Sequence, residues 1–146
     1  MSAEPKLNML HAPDPMEAVV DIVAVHGLSA QASSWLSLLL PRDLPGDRLS
    51  TFGYDFALRR SDPIEKQGHY LLEAIYQPQS ADNTLDRPLV FIAHSPGGLI
   101  VKQALICSQT RADDLASRDV QVRNFAQHAK GIVFIGTPHC VNERAD

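Results

Sequence analysis

The sequence predicts an α/β protein, a mostly parallel sheet with flanking helices on both faces. Three observations carry that expectation. Short apolar runs of strand length, VVDIVAV from Val19, RLSTFGY from Arg48, LVFIA from Leu89 and GIVFIG from Gly131, alternate with stretches of helical periodicity. Two of the strands run straight into turns rich in glycine and serine, His26-Gly27-Leu28-Ser29 and His94-Ser95-Pro96-Gly97-Gly98. Between Leu89 and Leu105, LVFIAHSPGGLIVKQAL joins a five-residue apolar run to a helix pattern that is polar only at Lys102 and Gln103 from Leu99 to Cys107. That stretch reads as a buried strand, a tight turn and a buried helix.

Length and composition narrow the function classes. At 146 residues, with 45% hydrophobic and 21% charged, the chain is a globular domain able to bury roughly two-thirds of its surface. Net charge is −4 with no basic stripe, which argues against nucleic acid or an anionic membrane surface as partner. Cys107 and Cys140 lie 33 residues apart, in or beside apolar elements, as suits reduced core residues better than a disulfide scaffold. The first 18 residues hold no apolar core of signal-peptide length, and no run approaches a transmembrane segment, so a cytoplasmic location is the expectation.

The elements follow in order. Residues 1–17, with Pro5, Pro13 and Pro15 among charged and small residues, are expected to be a flexible leader, and residues 18–146 the folded domain. Val19 to Val25 is the first strand. Ser33 or Ser34 can cap a short helix carrying Trp35, Leu36, Leu39 and Leu40, which Pro41 stops. Proline and glycine make 41–47 a loop, and Arg48 to Tyr54 is the second strand, with Gly53 as a point of bending. A helix follows with Asp62 as N-cap, Pro63 at its first position and Glu65 completing a capping box. It presents Ile64, Leu71, Leu72 and Ile75 on one face, and Pro78 is expected to end it. The polar run 79–87 leads into the central strand. Beyond the buried helix, 110–118 is a charged connection, and Asp119 caps a further helix with Val122, Phe125, Ala126 and Ala129 at helical spacing. Gly131 to Gly136 is the last strand, with Thr137-Pro138-His139 at its carboxyl end.

Chemistry concentrates on Ser95. A serine in a strand-to-helix turn has its hydroxyl pushed out at the carboxyl rim of the sheet, and the start of the next helix supplies positive potential to an oxyanion formed there. The turn reads Ala93-His94-Ser95-Pro96-Gly97, close to the Gly-x-Ser-x-Gly pattern of a nucleophile elbow. Gly97 and Gly98 also invite a phosphate-loop reading. No lysine follows in the required register, so close helix packing explains them better. Six histidines and two cysteines show neither a His-x-x-x-His helix pair nor a Cys-x-x-Cys spacing, so no metal is expected, and no cofactor is implied. His26 and His94 flank the two rim turns and are assigned to packing and hydrogen bonding around the turn rather than to catalysis, and with Gly27 they are the candidate binding residues. Asp55 reads as a turn acceptor.

On these residues the chain resembles the N-terminal part of a serine esterase and lipase-like branch of the α/β-hydrolase superfamily, a branch also found as N-terminal modules of fungal NACHT-type proteins. The resemblance rests on VHGL at 25–28, Trp35, LLLPRDLP at 38–45, TFGYD at 51–55, RPLVFIAHS with GGLIVKQAL across 87–105, and GIVFIGTPH at 131–139. It implies a partial α/β-hydrolase fold, truncated at its C-terminal end, with Ser95 as nucleophile and the amides of Leu28 and residue 96 as the oxyanion hole. Carboxylic esters, lipid esters among them, are the implied substrates.

Two features of this chain depart from that pattern. Pro96 has no N–H, so the donor expected after the nucleophile is missing, and losing one such donor costs about 10²–10³ in turnover. Proline also biases the preceding residue toward extended conformations, against the strained backbone an elbow nucleophile needs. The triad order of the fold is serine, acid, histidine, and no credible acid follows Ser95: Asp113, Asp114 and Asp119 fall in the connection leading to the opposite rim. His139 lies on the correct rim, where the family carries a histidine without a base role. Three readings therefore stand: a working esterase completed from elsewhere, a pseudoenzyme retained as a binding or regulatory module, and a truncated product without settled function. Strand order further places Gly131 to Gly136 at one sheet edge and Arg48 to Tyr54 at the other, and the uncharged GIVFIG edge is expected to drive self-association.

Overall fold

The computed structural model describes residues 5–26, 38, 40–54, 64–113 and 125–139, with side chains through 110 in the second helix. In chain order these form β1 (Lys6–His11), β2 (Asp21–Val25), β3 (Arg48–Gly53), α1 (Ile64–Ala81), β4 (Leu89–His94), α2 (Gly97–Asp113) and β5 (Ala129–Ile135). The strands make one five-stranded sheet in the order β1-β3-β2-β4-β5. β3, β2, β4 and β5 are parallel, and β1 is antiparallel to β3. The mixed α/β sheet with flanking helices is thus the architecture that the alternation of elements predicts.

Parallel register explains the core. Val23 lies opposite Ser50 and Phe91, and Val25 opposite Phe52 and Ala93, so one face of the sheet presents Val23, Val25, Phe52, Phe91 and Ala93 together. Leu71, Leu72 and Ile75 of α1 and Ile100, Val101 and Ala104 of α2 close over that face. Each large side chain buried there contributes about 1.5–3 kcal/mol. The two helices touch along their backbones at Gly68, where a Cβ would stand 2.9 Å from the Ala104 nitrogen. Among the described residues both long helices therefore cover one face, not two. The helix expected around Trp35 falls outside the described residues, apart from Leu38 and the helical residues 40–43. Pro41 sits inside that helical stretch instead of stopping it, and Leu44 N–H still reaches the Leu40 carbonyl at 2.8 Å.

Four other expectations change. Residues 6–11 are a strand, not an unstructured leader: β1 pairs along β3, with Leu7 packed on the core and a register irregularity between Met9 and His11. β3 is consequently an inner strand, while β5 remains at the edge of the described sheet. α1 passes through Pro78 and ends at Ala81; the chain then leaves by Asn83 in the left-handed region at φ 55°. Proline removes only one helical N–H, and polar contacts of Gln79 and Asp82 hold the turn beyond it. Ile64 at the start of α1 is 42% exposed and does not join the buried face of Leu71, Leu72 and Ile75. The capping residues Asp62 and Pro63, and the region of Asp114, Asp119 and Val122, lie outside the described residues.

The amino ends of the strands hold a buried charge cluster. Asp21 begins β2, and its carboxylate accepts from Arg48 Nε at 2.8 Å, Arg48 Nη2 at 2.6 Å, Gln79 Nε2 at 2.7 Å and Arg87 Nη1 at 3.0 Å. Arg48 also pairs with Asp82 at 2.6 Å, and Arg87 donates to the Pro15 carbonyl. The cluster ties the starts of three strands, the end of α1 and the segment after β1 into one unit.

Candidate active site

The carboxyl ends of β2, β3, β4 and β5 define the opposite rim, and the turn after β4 stands at its centre. Ser95 has φ 53°, in the left-handed region that a serine adopts only under constraint. The proline bias toward extended backbone is overcome. The reason lies in the bonds on either side: Ser95 N–H continues the β4–β5 ladder to the Ile135 carbonyl at 2.8 Å, while the Ser95 and Pro96 carbonyls already receive Gly98 and Leu99 of the first turn of α2 at 3.2 and 3.0 Å. These bonds fix the backbone on both sides of Ser95 and hold it at positive φ. Pro96 is accommodated at the helix start, where its missing N–H has no intrahelical partner to lose.

Both glycines of the turn are closely packed, Gly97 against backbone and Gly98 against side chains. A Cβ at Gly97 would stand 2.4 Å from the Val25 carbonyl oxygen and 2.8 Å from that of His26. A Cβ at Gly98 would stand 2.2 Å from Thr137 Oγ1 and 2.9 Å from the Phe134 ring. The start of α2 is therefore wedged between the ends of β2 and β5, as close helix packing requires and a phosphate loop does not.

The rim histidines separate by environment. His26 is half-buried and lies parallel to the Tyr54 ring at 5.0 Å and 5°, while its carbonyl accepts the Tyr54 hydroxyl at 2.8 Å. His94, at the end of β4, is exposed. His139 is drawn away along α2. Thr137 packs on Gly98, and His139 Nδ1 then meets Lys102 Nζ at 2.7 Å, one turn further from the elbow, with its ring edge-on to Phe134 at 4.8 Å. That engagement leaves it poorly placed as a base for Ser95. Burial pushes the Tyr54 hydroxyl up to about 12, so it stays a donor throughout the neutral range. Gly27, Leu28 and Asp55 lie outside the described residues.

None of Asp21, Asp82 and Asp113 stands at this rim. Asp21 and Asp82 are committed to Arg48 and Arg87 at the far rim. Asp113 closes the 17-residue α2, about 25 Å from its start by helical rise. Among the described residues no group of three or more His, Cys, Asp or Glu is arranged to hold a metal ion. Cys107 is a buried free thiol between the helices, 3.6 Å from His69 Nε2. Among the described residues no helix is long and apolar enough to cross a membrane.

Sequence reasoning missed Tyr54 and the Asp21 cluster. The first had no signal beyond an aromatic at a strand end. The second had one: Asp21, Arg48 and Arg87 each stand at or just before the start of an apolar strand, where a lone charge at three neighbouring strand ends points to a shared partner.

A mostly parallel sheet of this order with flanking helices is the α/β-hydrolase type of fold, and comparison with a solved structure agrees. The type II thioesterase YbtT from the yersiniabactin NRPS/PKS biosynthetic pathway superposes with a TM-score of 0.58 and 19% identity, over 94% of this chain and 50% of that one. The two chains thus share a fold. In sequence it is similar to Protein SERAC1 of Bos taurus, 29% identical over 109 residues, and of Homo sapiens, 28% identical over 109 residues. Each match takes in 72% of this chain, which spans about 15% of the length of those relatives. No protein-family model matches the chain.

Proposed function

We propose that the chain, β1 included, is the nucleophile-bearing part of an α/β-hydrolase-type serine esterase of lipase-like character, acting on carboxylic esters, lipid esters included. The observation that carries this reading is the positive φ of Ser95 between a parallel strand and a helix that is wedged against two strand ends. A left-handed serine carries strain of about 1–3 kcal/mol, which presentation of its hydroxyl would account for. In the reaction Ser95 Oγ bonds to the ester carbonyl carbon while the carbonyl electrons move onto oxygen. The Leu28 N–H holds that oxyanion. Collapse expels the alcohol or thiol, which leaves with the serine proton, and water then splits the acyl-serine and restores the hydroxyl. The general base and its acid come from polypeptide beyond the described residues. We place the protein in the cytoplasm, with a small-molecule or lipid ester as substrate and the open β5 edge, where Val133 is 52% exposed, as a strand-pairing surface for self-association.

A second reading has its own observation. Pro96 leaves the oxyanion with one backbone donor instead of two, which suits a pseudoenzyme that binds esters without turning them over. Hydrolysis of a p-nitrophenyl ester and of an acyl thioester separates the two. Turnover lost in Ser95→Ala supports the esterase, with the preferred leaving group read from the ratio; saturable binding of a non-hydrolysable ether analogue without turnover supports the pseudoenzyme.

A further inference from the structure

We infer that Thr137 is a positioning residue: seated in the notch that Gly98 leaves at the start of α2, it fixes the Ile135 carbonyl that holds Ser95. The inference rests on the reading of Ser95 as a nucleophile and assigns the segment after β5 a part in it.

The Ser95 N–H donates to the Ile135 carbonyl at 2.8 Å, and His94, just before it, is the register partner of Ile135. β5 is the edge of the described sheet, so among the described residues no further strand steadies that carbonyl from the other side. The chain beyond it does. Gly136, in the left-handed region at φ 61°, turns the backbone off the strand with open space where its Cβ would be, so glycine there serves the conformation. Thr137 then lies on Gly98: a Cβ on Gly98 would overlap the Thr137 hydroxyl and stand 2.5 Å from its methyl carbon and 2.9 Å from the Phe134 ring. Threonine before proline suits a rigid seat, because its branched Cβ is stiff at χ1 and Pro138 restricts its backbone. His139 holds the far end, against Lys102 Nζ at 2.7 Å and edge-on to Phe134 at 4.8 Å. The frame closes on Ser95, whose carbonyl accepts the Gly98 N–H at 3.2 Å. Ser95 and Gly98 are thus tied on one side, and Ile135 and Thr137 grip them from the other. The Thr137 hydroxyl is buried without a partner among the described residues, so shape rather than hydrogen bonding makes the seat. Misplacement of a reacting group by about 1 Å costs up to about 10²-fold in rate.

The test uses the full chain with an alkyl fluorophosphonate, comparing wild type, Thr137→Ala, Thr137→Val, the double variant Thr137→Ala with Gly98→Ala, and the core variant Ile75→Val. Labelling forms the Ser95 Oγ–P bond, breaks the P–F bond and releases fluoride, and the hydroxyl proton passes to solvent. The readouts are the maximal labelling rate and the half-saturating probe concentration, well below the melting temperature. Thr137→Ala empties the seat and lowers the maximal rate about tenfold, with half-saturation changed less than about twofold. Thr137→Val keeps the shape and labels at the wild-type rate. The double variant puts a methyl group into the emptied notch from the other side and labels faster than Thr137→Ala. Ile75→Val, destabilised in the core, labels at the wild-type rate. A wild-type maximal rate in Thr137→Ala, equal slowing in Thr137→Val or Ile75→Val, or a double variant no faster than Thr137→Ala overturns the positioning role while leaving the nucleophile intact. Failure of the wild-type chain to label at Ser95 overturns the nucleophile reading and this inference together.

Discussion

The two rims of the sheet are built on opposite principles. At the amino rim, charges are buried and matched: the Asp21 carboxylate is shared by Arg48, Arg87 and Gln79, and Arg48 reaches on to Asp82. At the carboxyl rim, backbone is strained and closely packed: Ser95 is left-handed, Gly97 lies against the Val25 and His26 carbonyls, and Gly98 lies against the Thr137 and Phe134 side chains. The first arrangement holds strands in register, whatever chemistry the protein does. The second carries strain at Ser95, and the proposed presentation of the serine hydroxyl would account for it.

The largest effect that sharpens this contrast is on stability. Asp21→Ala takes from the buried Arg87 guanidinium the carboxylate it pairs with and leaves Arg48 with Asp82, and the expected loss is about 3–5 kcal/mol, read from urea unfolding. A loss below about 1 kcal/mol would show that the amino-rim cluster is solvated in solution. Next comes the missing donor. Pro96→Leu restores an amide after the nucleophile and should raise acylation by an activated ester about 10²-fold. An unchanged rate would mean that the absent acid and base, not the oxyanion hole, limit the chemistry. The carboxyl rim should respond to Ser95→Gly with the opposite sign from Asp21→Ala: glycine adopts a positive φ freely, so the variant gains about 1 kcal/mol while losing the nucleophile. Loss of stability in Ser95→Gly would remove the case for strain.

The smallest effect concerns Tyr54. Its hydroxyl is raised from 10.0 to about 12 by burial, so the folded protein keeps the proton to higher pH than the unfolded chain does. That contribution is complete below pH 10 and is lost as pH rises from 10 toward 12. Thermal unfolding of wild type should therefore weaken across that window more than that of Tyr54→Phe, and parallel curves would contradict the burial of the hydroxyl.

What was legible in the sequence follows the same division. The strands β2 to β5, the helix after Ser95 and the elbow itself were readable because apolar runs and glycine turns are local signals. β1 was not, since only Leu7 of Lys6–His11 packs on the core and three prolines surround it; its strand character comes from the partner β3 rather than from its own composition. Pro78 misled for a similar reason, because the turn beyond it is held by Asp21 and Arg48, far away in sequence. The retained φ of Ser95 was also beyond local reading. Proline's bias is a property of two residues, whereas the ladder to Ile135 and the wedge at Val25 come from the assembled sheet.

The central claim is that the strain at Ser95 still presents a nucleophile despite Pro96. Peptide-resolved mass spectrometry of the wild-type chain after fluorophosphonate treatment tests it most directly. The account predicts one adduct per chain, on the peptide containing Ser95, absent after Ser95→Ala and after prior denaturation. An unmodified Ser95 in the folded chain, or labelling spread over other serines to the same extent before and after denaturation, would contradict it.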